Sequence, residues 1–217
     1  MISDHIRAAI AAERRTTLMA DAAAARQARQ ARLFRRRSVP RPAAPVSGRL
    51  AVLRDGTQVR IRQVEGADTA LLADVFDRLS PQSRRLRFLI VKHALSAAEL
   101  RYLTDIDHHD HEALVAVDPR DGRGVGVARY VRDSDDARAA ELAVTVLDDW
   151  QGRGLGPVLL DELTERARAA GIGQFTALVA ADNVAAIRSV QSRNSDVSLE
   201  YDPESHSVQY EIPLGVG

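Results

Sequence analysis

Ten residues carry the clearest chemistry: Asp148-Asp149-Trp150-Gln151-Gly152-Arg153-Gly154-Leu155-Gly156-Pro157. The preceding stretch reads as a strand and the following one as a helix. Without a Cβ, Gly152, Gly154 and Gly156 let the backbone reach φ > 0 and approach a ligand closely. The helix that follows begins with unpaired N–H groups and a partial positive charge. Such a turn is built to hold a diphosphate, and Arg153 is placed to add a salt link.

The spacing decides which diphosphate. A nicotinamide fingerprint needs G-x-G-x-x-G early in a parallel β-α-β unit. Here Gln151-x-x-Gly154-x-Gly156 comes late, after a run of strands. No G-K-[ST] is present, which excludes a P-loop. The cluster His108-His109-Asp110-His111 invites a metal reading. Strand or loop spacing does not align all three histidines, and no cysteine supports them, so no metal is expected. A strand-entry histidine bonded locally is the favoured reading; His108 or His109 at the mouth of a site, as a base, is the alternative.

The surrounding elements must position that loop. A hairpin is expected at 50–53 and 58–63 around Asp55-Gly56, with Val59, Ile61 and Val64 inward. Residues 67–79 have helical spacing (Leu71, Leu72, Val75, Phe76, Leu79). Ser80-Pro81 starts a second helix and Ser96 caps a third over 97–103. Strands follow at 113–117, 125–131 and 139–146. A helix over 156–170 buries Leu159, Leu160, Leu163 and Ala167 and stops at Gly171. A strand at 175–179, a helix at 183–193 and a closing hairpin at 197–201 and 208–212 complete the chain. The order is α+β: meandering strands before the glycine loop and one strand–helix–strand unit across it.

Whole-chain properties narrow the class. The 217 residues suffice for one domain and an appendage. There are no cysteines, so disulfides and thiolate chemistry are excluded. No apolar run reaches the ~20 residues that span a bilayer, and the N-terminus lacks a secretory layout. A cytoplasmic protein with no membrane partner is therefore expected. Net charge is zero but uneven. Residues 1–50 hold 11 Arg and three acids, and the remainder 19 Lys+Arg against 27 Asp+Glu, so a +8 arm precedes a −8 body. Residues 1–48 read as an Arg/Ala-rich helix and a Pro-rich linker, too short for a separate regulatory nucleotide-binding domain. Phe34 alone offers the arm a stacking ring, which favours a solvated or self-docked helix over a nucleic-acid tail. The catalytic domain is expected over 49–217.

The loop pattern after a strand resembles the coenzyme A signature of the GNAT superfamily of acyl-CoA N-acyltransferases. The likeness spans about residues 58–193. Two further segments resemble bacterial protein-lysine acetyltransferases of that superfamily. They are Leu79-Ser80-Pro81-Gln82-Ser83-Arg84-Arg85-Leu86-Arg87-Phe88-Leu89 and Asp107-His108-His109-Asp110-His111-Glu112-Ala113-Leu114-Val115-Ala116. The resemblance implies a mixed, mostly antiparallel central sheet flanked by helices, with an N-terminal helical extension outside it. It implies acetyl-CoA as donor and an amine acceptor, a small molecule or a protein lysine. The protein would be a monomer or homodimer. Val144, Thr145 and Val146 match the strand that pairs with the pantetheine arm. Gln151, Gly152, Arg153, Gly154, Leu155, Gly156 and Pro157 match the pyrophosphate cradle. Asn183 matches a cofactor-side asparagine, although it is equally suited to cap a helix.

Acyl transfer to an amine also needs a base, because an amine of pKa ~10.4 is neutral only about once in a few thousand at pH 7. Glu141 is the candidate, matching the glutamate that the related enzymes use. Alternation puts Glu141, Ala143 and Thr145 on one face of the strand and Leu142, Val144 and Val146 on the other. Glu141 lies about 17 Å upstream of Val146, toward the reactive end of the cofactor. One departure stands out. The tyrosine that often protonates the leaving thiolate falls at Val190, and the usual Gly-Phe after that helix becomes Asn194-Ser195. A cofactor-binding regulatory module with little or no catalysis is therefore the alternative expectation.

Overall fold

In the computed structural model, residues 48–193 and 196–215 are described. The N-terminal helix and linker expected over 1–48 lie outside them apart from Gly48, as does the Asn194-Ser195 helix stop. The described residues belong to a unit that starts at Pro45. Eight strands form one sheet: β1 Arg49–Val52, β2 Gln58–Gln63, β3 His111–Val117, β4 Gly124–Arg132, β5 Ala139–Val146, β6 Gln174–Ala180, β7 Ser198–Asp202 and β8 Ser207–Pro213. Their order is β1-β2-β3-β4-β5-β6-β8-β7. Every neighbouring pair is antiparallel except β5 and β6, which run parallel. The expected mixed, mostly antiparallel sheet is thus present, and the parallel pair falls across the glycine loop.

Among the described residues five α-helices flank the sheet: α1 Thr69–Arg78, α2 Pro81–Phe88, α3 Ala97–Thr104, α4 Leu155–Ala169 and α5 Val184–Arg193. Their starts follow local chemistry. The Ser80 side chain accepts from Ser83 N with Pro81 at the first helical position. Ser96 and Glu99 make a reciprocal capping box on α3. Helix α4 starts one residue earlier than expected, after Gly154 in the left-handed conformation. Its Leu155, Leu159, Leu163 and Ala167 are almost fully buried against Leu114, Ala116, Ala128, Tyr130 and Ala140 of the sheet. A smaller core on the opposite face packs Leu72 of α1 against Ala113, Val115 and Val117 of β3, with Leu100 and Leu103 of α3 around it. Among the described residues no helix is long and apolar enough to cross a membrane.

β3 serves both cores by alternation. Glu112, 2% exposed, points toward α4 and meets Arg166 Nη1 (3.3 Å), Gln63 Nε2 (2.9 Å), His108 Nδ1 (2.9 Å) and its neighbour Ala113 N (2.8 Å). A buried carboxylate is tolerated because its oxygens are fully engaged. Removing it leaves Gln63 Nε2 and Arg166 Nη1 without this acceptor, although Arg166 Nη2 keeps Glu162 at 3.5 Å. Glu112→Ala should lower stability by about 3 kcal/mol, read in urea as a lower midpoint at unchanged m-value.

Candidate functional site

The site grows from the place where β5 leaves β6. β5 pairs with β4 along its whole length, from Arg132↔Ala140 to Gly126↔Val146. With β6 it shares only Ala139↔Gln174, Ala140↔Phe175 and Glu141↔Thr176. Beyond Glu141 the two strands form no ladder, although β6 continues to Ala180 and stays paired with β8. A fork opens, edged by Leu142–Val146 of β5 on one side. Peptide groups along such an edge need partners other than a strand.

The glycine loop closes the wide end of that fork. Leu147 N–H bonds Val125 O, and a single 3-10 turn, Asp148–Trp150, buries the indole of Trp150. Gln151 Nε2 donates to Val146 O at 3.1 Å, tying the loop to the end of β5. Gly152 (φ +74) and Gly154 (φ +90) occupy the left-handed region that side chains avoid. Gly156 does not, contrary to expectation: it is ordinary helix, and a Cβ there would meet nothing nearer than Val146 Cγ2 at 4.0 Å. Its value is open approach. Among the described residues, no backbone carbonyl takes the N–H groups of Gly152, Arg153 or Gly154. Leu155 and Gly156 add the first free donors of α4, with no side-chain cap over them. Pro157 sits one position on, where its missing N–H costs little. Arg153 does not point into this cradle: its guanidinium lies over the Trp150 ring at 5.2 Å and reaches Asp55 at 3.5 Å.

Helix α2 bridges the two prongs. Asp148 accepts from Ser80 N (3.0 Å), Ser80 Oγ (2.8 Å) and Ser83 Oγ (2.8 Å) at the exit of β5. Arg85 pairs with Asp182 at the exit of β6. These ties between segments tens of residues apart left no local sequence signal. Asn183 stands next to Asp182 and caps α5: its Oδ1 accepts from Ala186 N at 3.2 Å. Val190, on α5, is half-buried against the main core.

Glu141 stands at the narrow end of the fork, exposed, on the face opposite α4. The register puts His111, Val131, Glu141 and Thr176 in one row across β3, β4, β5 and β6. Two residues along β4 on the same face lies Arg129, 6% exposed, donating to His111 Nε2 (3.1 Å) and to Leu103 O (3.3 Å). Burial, helped by the Arg87 charge, lowers its pKa to about 9. Burial first, and then Arg129, lowers His111 to about 4. It is neutral at physiological pH, with the proton on Nδ1 and Nε2 accepting. Sequence reasoning missed this pair, since a buried strand arginine without a carboxylate breaks the usual pattern.

The three histidines go separate ways. His108 bonds Glu112, His109 bonds Asp110, and His111 takes Arg129. Among the described residues no group of three or more His, Asp or Glu is placed to hold a metal ion.

Known proteins are similar to this chain in sequence and fold. The profile of the acetyltransferase (GNAT) family matches residues 74–192, more than half of the chain. Acetyltransferase PA5475 of Pseudomonas aeruginosa is 38% identical over 133 residues, covering 60% of this chain and 71% of that protein. Acetyltransferase Pat of Mycolicibacterium smegmatis is 35% identical over 116 residues, 54% of this chain and 34% of that protein. The chain therefore spans only part of that relative. Among solved structures, the GNAT domain of S. lividans PAT superposes with a TM-score of 0.69 at 28% identity, covering 76% of this chain and 96% of that one.

The His111 environment sets an acid limit. Its folded pKa lies below the unfolded value of about 6.5, so the unfolded chain binds the extra proton first. Its contribution is complete above pH 6.5 and is lost as pH falls toward about 4. His111→Gln should flatten the fall in urea midpoint between pH 6.5 and 4; an unchanged slope would remove His111 as its source.

Proposed function

The chain belongs to the acetyltransferase (GNAT) family, and from that premise we propose that it transfers an acetyl group from acetyl-CoA to a primary amine by direct attack on the thioester. The observation that carries this reading is the fork, with a diphosphate cradle at its wide end and a carboxylate at its narrow end. The pyrophosphate would lie on the N–H groups of Gly152 to Gly156 at the start of α4. The pantetheine amides would pair with the free edge of β5 at Val144, Thr145 and Val146, as an added strand would. Gln151 holds the loop, Leu155 anchors it in the core, and Arg153 braces it from behind. Asn183 serves this side of the fork as the cap of α5.

The thioester then falls about 17 Å from the loop, beside Glu141. The Glu141 carboxylate takes a proton from the acceptor, and the amine lone pair forms the new C–N bond. The tetrahedral intermediate collapses, the C–S bond breaks, and the sulfur leaves with its electron pair. Solvent at the exposed end of the fork protonates the thiolate, because Val190 has no proton to give. The likeness to acetyltransferase Pat and to the S. lividans PAT domain, and the −8 charge of residues 51–217, support a cationic acceptor such as a protein lysine.

Val190 also motivates a second reading, an acyl-CoA-binding module that regulates without catalysis. Glu141→Gln separates the two. As an enzyme, the variant should lose about 10²–10⁴-fold in kcat while calorimetric affinity for acetyl-CoA changes less than twofold. Unchanged turnover in the variant would remove Glu141 as the base, and cofactor binding without turnover of any amine by the wild type would favour the regulatory module.

A further inference from the structure

Tyr102 stands over the row of side chains that carries the proposed base, and the proposed reaction does not use it. It sits in the last turn of α3, and its ring lies 5.2 Å from the His111 ring at a 36° tilt. His111 and Glu141 share a row two strands apart, about 10 Å at ordinary strand spacing. The phenol is close enough to Glu141 for that charge to act on it. Tyr102 remains 57% exposed, and its hydroxyl has no hydrogen-bond partner among the described residues. The ring is nevertheless well placed. Arg129 ties α3 to the sheet through Leu103 O and His111, and Thr104 Oγ1 closes the helix end onto Leu100 O at 2.8 Å. An exposed aromatic held by a buried arginine–histidine pair, on the face of the sheet that carries Glu141, is more than a surface tyrosine requires.

The chemistry of the acceptor supplies a use. A neutral primary amine has one lone pair and two N–H bonds. During attack the lone pair faces the thioester carbon and one N–H faces Glu141. The second N–H needs an acceptor, and leaving it without one inside the cleft costs about 1–3 kcal/mol. We propose that the Tyr102 hydroxyl oxygen accepts this second N–H, so that Tyr102 and Glu141 together hold the acceptor nitrogen and select primary over secondary amines. A secondary amine would turn an alkyl group toward the phenol in place of that N–H. Tyr102 keeps its proton throughout. Partial burial of the hydroxyl raises its pKa; Arg129 and Arg87 act the other way, and Glu141 adds to the rise.

The assignment rests on the acetyl-transfer reading above, so its test has two arms. In the first, release of free thiol from acetyl-CoA is followed with a lysine peptide and its Nε-methyl-lysine counterpart as acceptors. Tyr102→Phe keeps the ring against His111 and should raise the KM of the lysine peptide about tenfold, the loss of one hydrogen bond. The KM of acetyl-CoA should change less than twofold, and the preference for lysine over methyl-lysine should shrink. An acceptor KM within twofold of wild type, or an equal rise in both KM values, overturns the proposal. The second arm needs no turnover. Ultraviolet difference titration, with Tyr102→Phe as reference, should show the Tyr102 phenol ionising at lower pH in Glu141→Gln than in wild type. An unmoved titration overturns the shared site. An inactive wild type that shows the shift would sink acetyl transfer while leaving the Tyr102–Glu141 pair standing.

Discussion

Two well-paired half-sheets meet along only three residue pairs. On one side β4 grips β5 from Ala140 to Val146; on the other, β8 grips β6 from Gln174 to Ala180. Between them only Ala139, Ala140 and Glu141 have partners. Strands twist relative to their neighbours, so a junction this short cannot hold the two halves parallel beyond it. The fork that results exposes a strand edge deep in the sheet, which a continuous ladder would have closed. The same geometry sets the site. The crossover helix α4 must start where β5 ends, which places its free N–H groups at the wide end. The last residue of β5 paired with β6 is Glu141, which places a carboxylate at the narrow end. Helix α2 fixes the opening by holding Asp148 on one prong and Asp182 on the other.

A second constraint comes from β3, whose alternation sends neighbouring side chains to opposite faces. Glu112 turns toward α4 and is satisfied by Arg166, Gln63 and His108. His111 turns toward α3 and receives Arg129. The histidine run is thus divided between two jobs, one bracing α4 through Glu112 and one bracing the helix that carries Tyr102. This division explains why a cluster that suggests a metal in one dimension has no such geometry in three. It also joins the two sides of the sheet through a single strand.

Much of this was legible in the sequence where signals are local. The glycine loop, the caps at Ser80 and Ser96, the face of Leu159, Leu163 and Ala167, and the opposite orientations of Glu141 and Val144 all follow from spacing and turn chemistry. The fork was not, because strand order and pairing length are set by tertiary contacts and leave no periodicity. Asp148 reads as a loop acid until α2, 65 or more residues earlier, is brought to it. Arg153 reads as a phosphate ligand because its pairing with Asp55 and Trp150 is long-range. Gly156 reads as a turn glycine, although its backbone is plain helix. Tyr102 has the look of an ordinary exposed aromatic, and only Arg129, buried beneath, shows that its position is held.

Val190 bears on how much acid assistance the proposed reaction requires. A thiol of pKa about 8.5 leaves as an anion at a cost near 2 kcal/mol at pH 7, by the 1.36 kcal/mol per unit of pKa. A lysine-like amine of pKa about 10.4 must be neutral to attack, which costs about 4.6 kcal/mol on the same scale. Deprotonating the acceptor is therefore the larger demand by more than twofold. In the proposed reaction Glu141, at the end of the β5–β6 ladder, would meet that demand, and the sulfur end would be left to solvent. Losing a tyrosine at Val190 removes the smaller of the two contributions, so the absence weighs less against catalysis than the loss of Glu141 would.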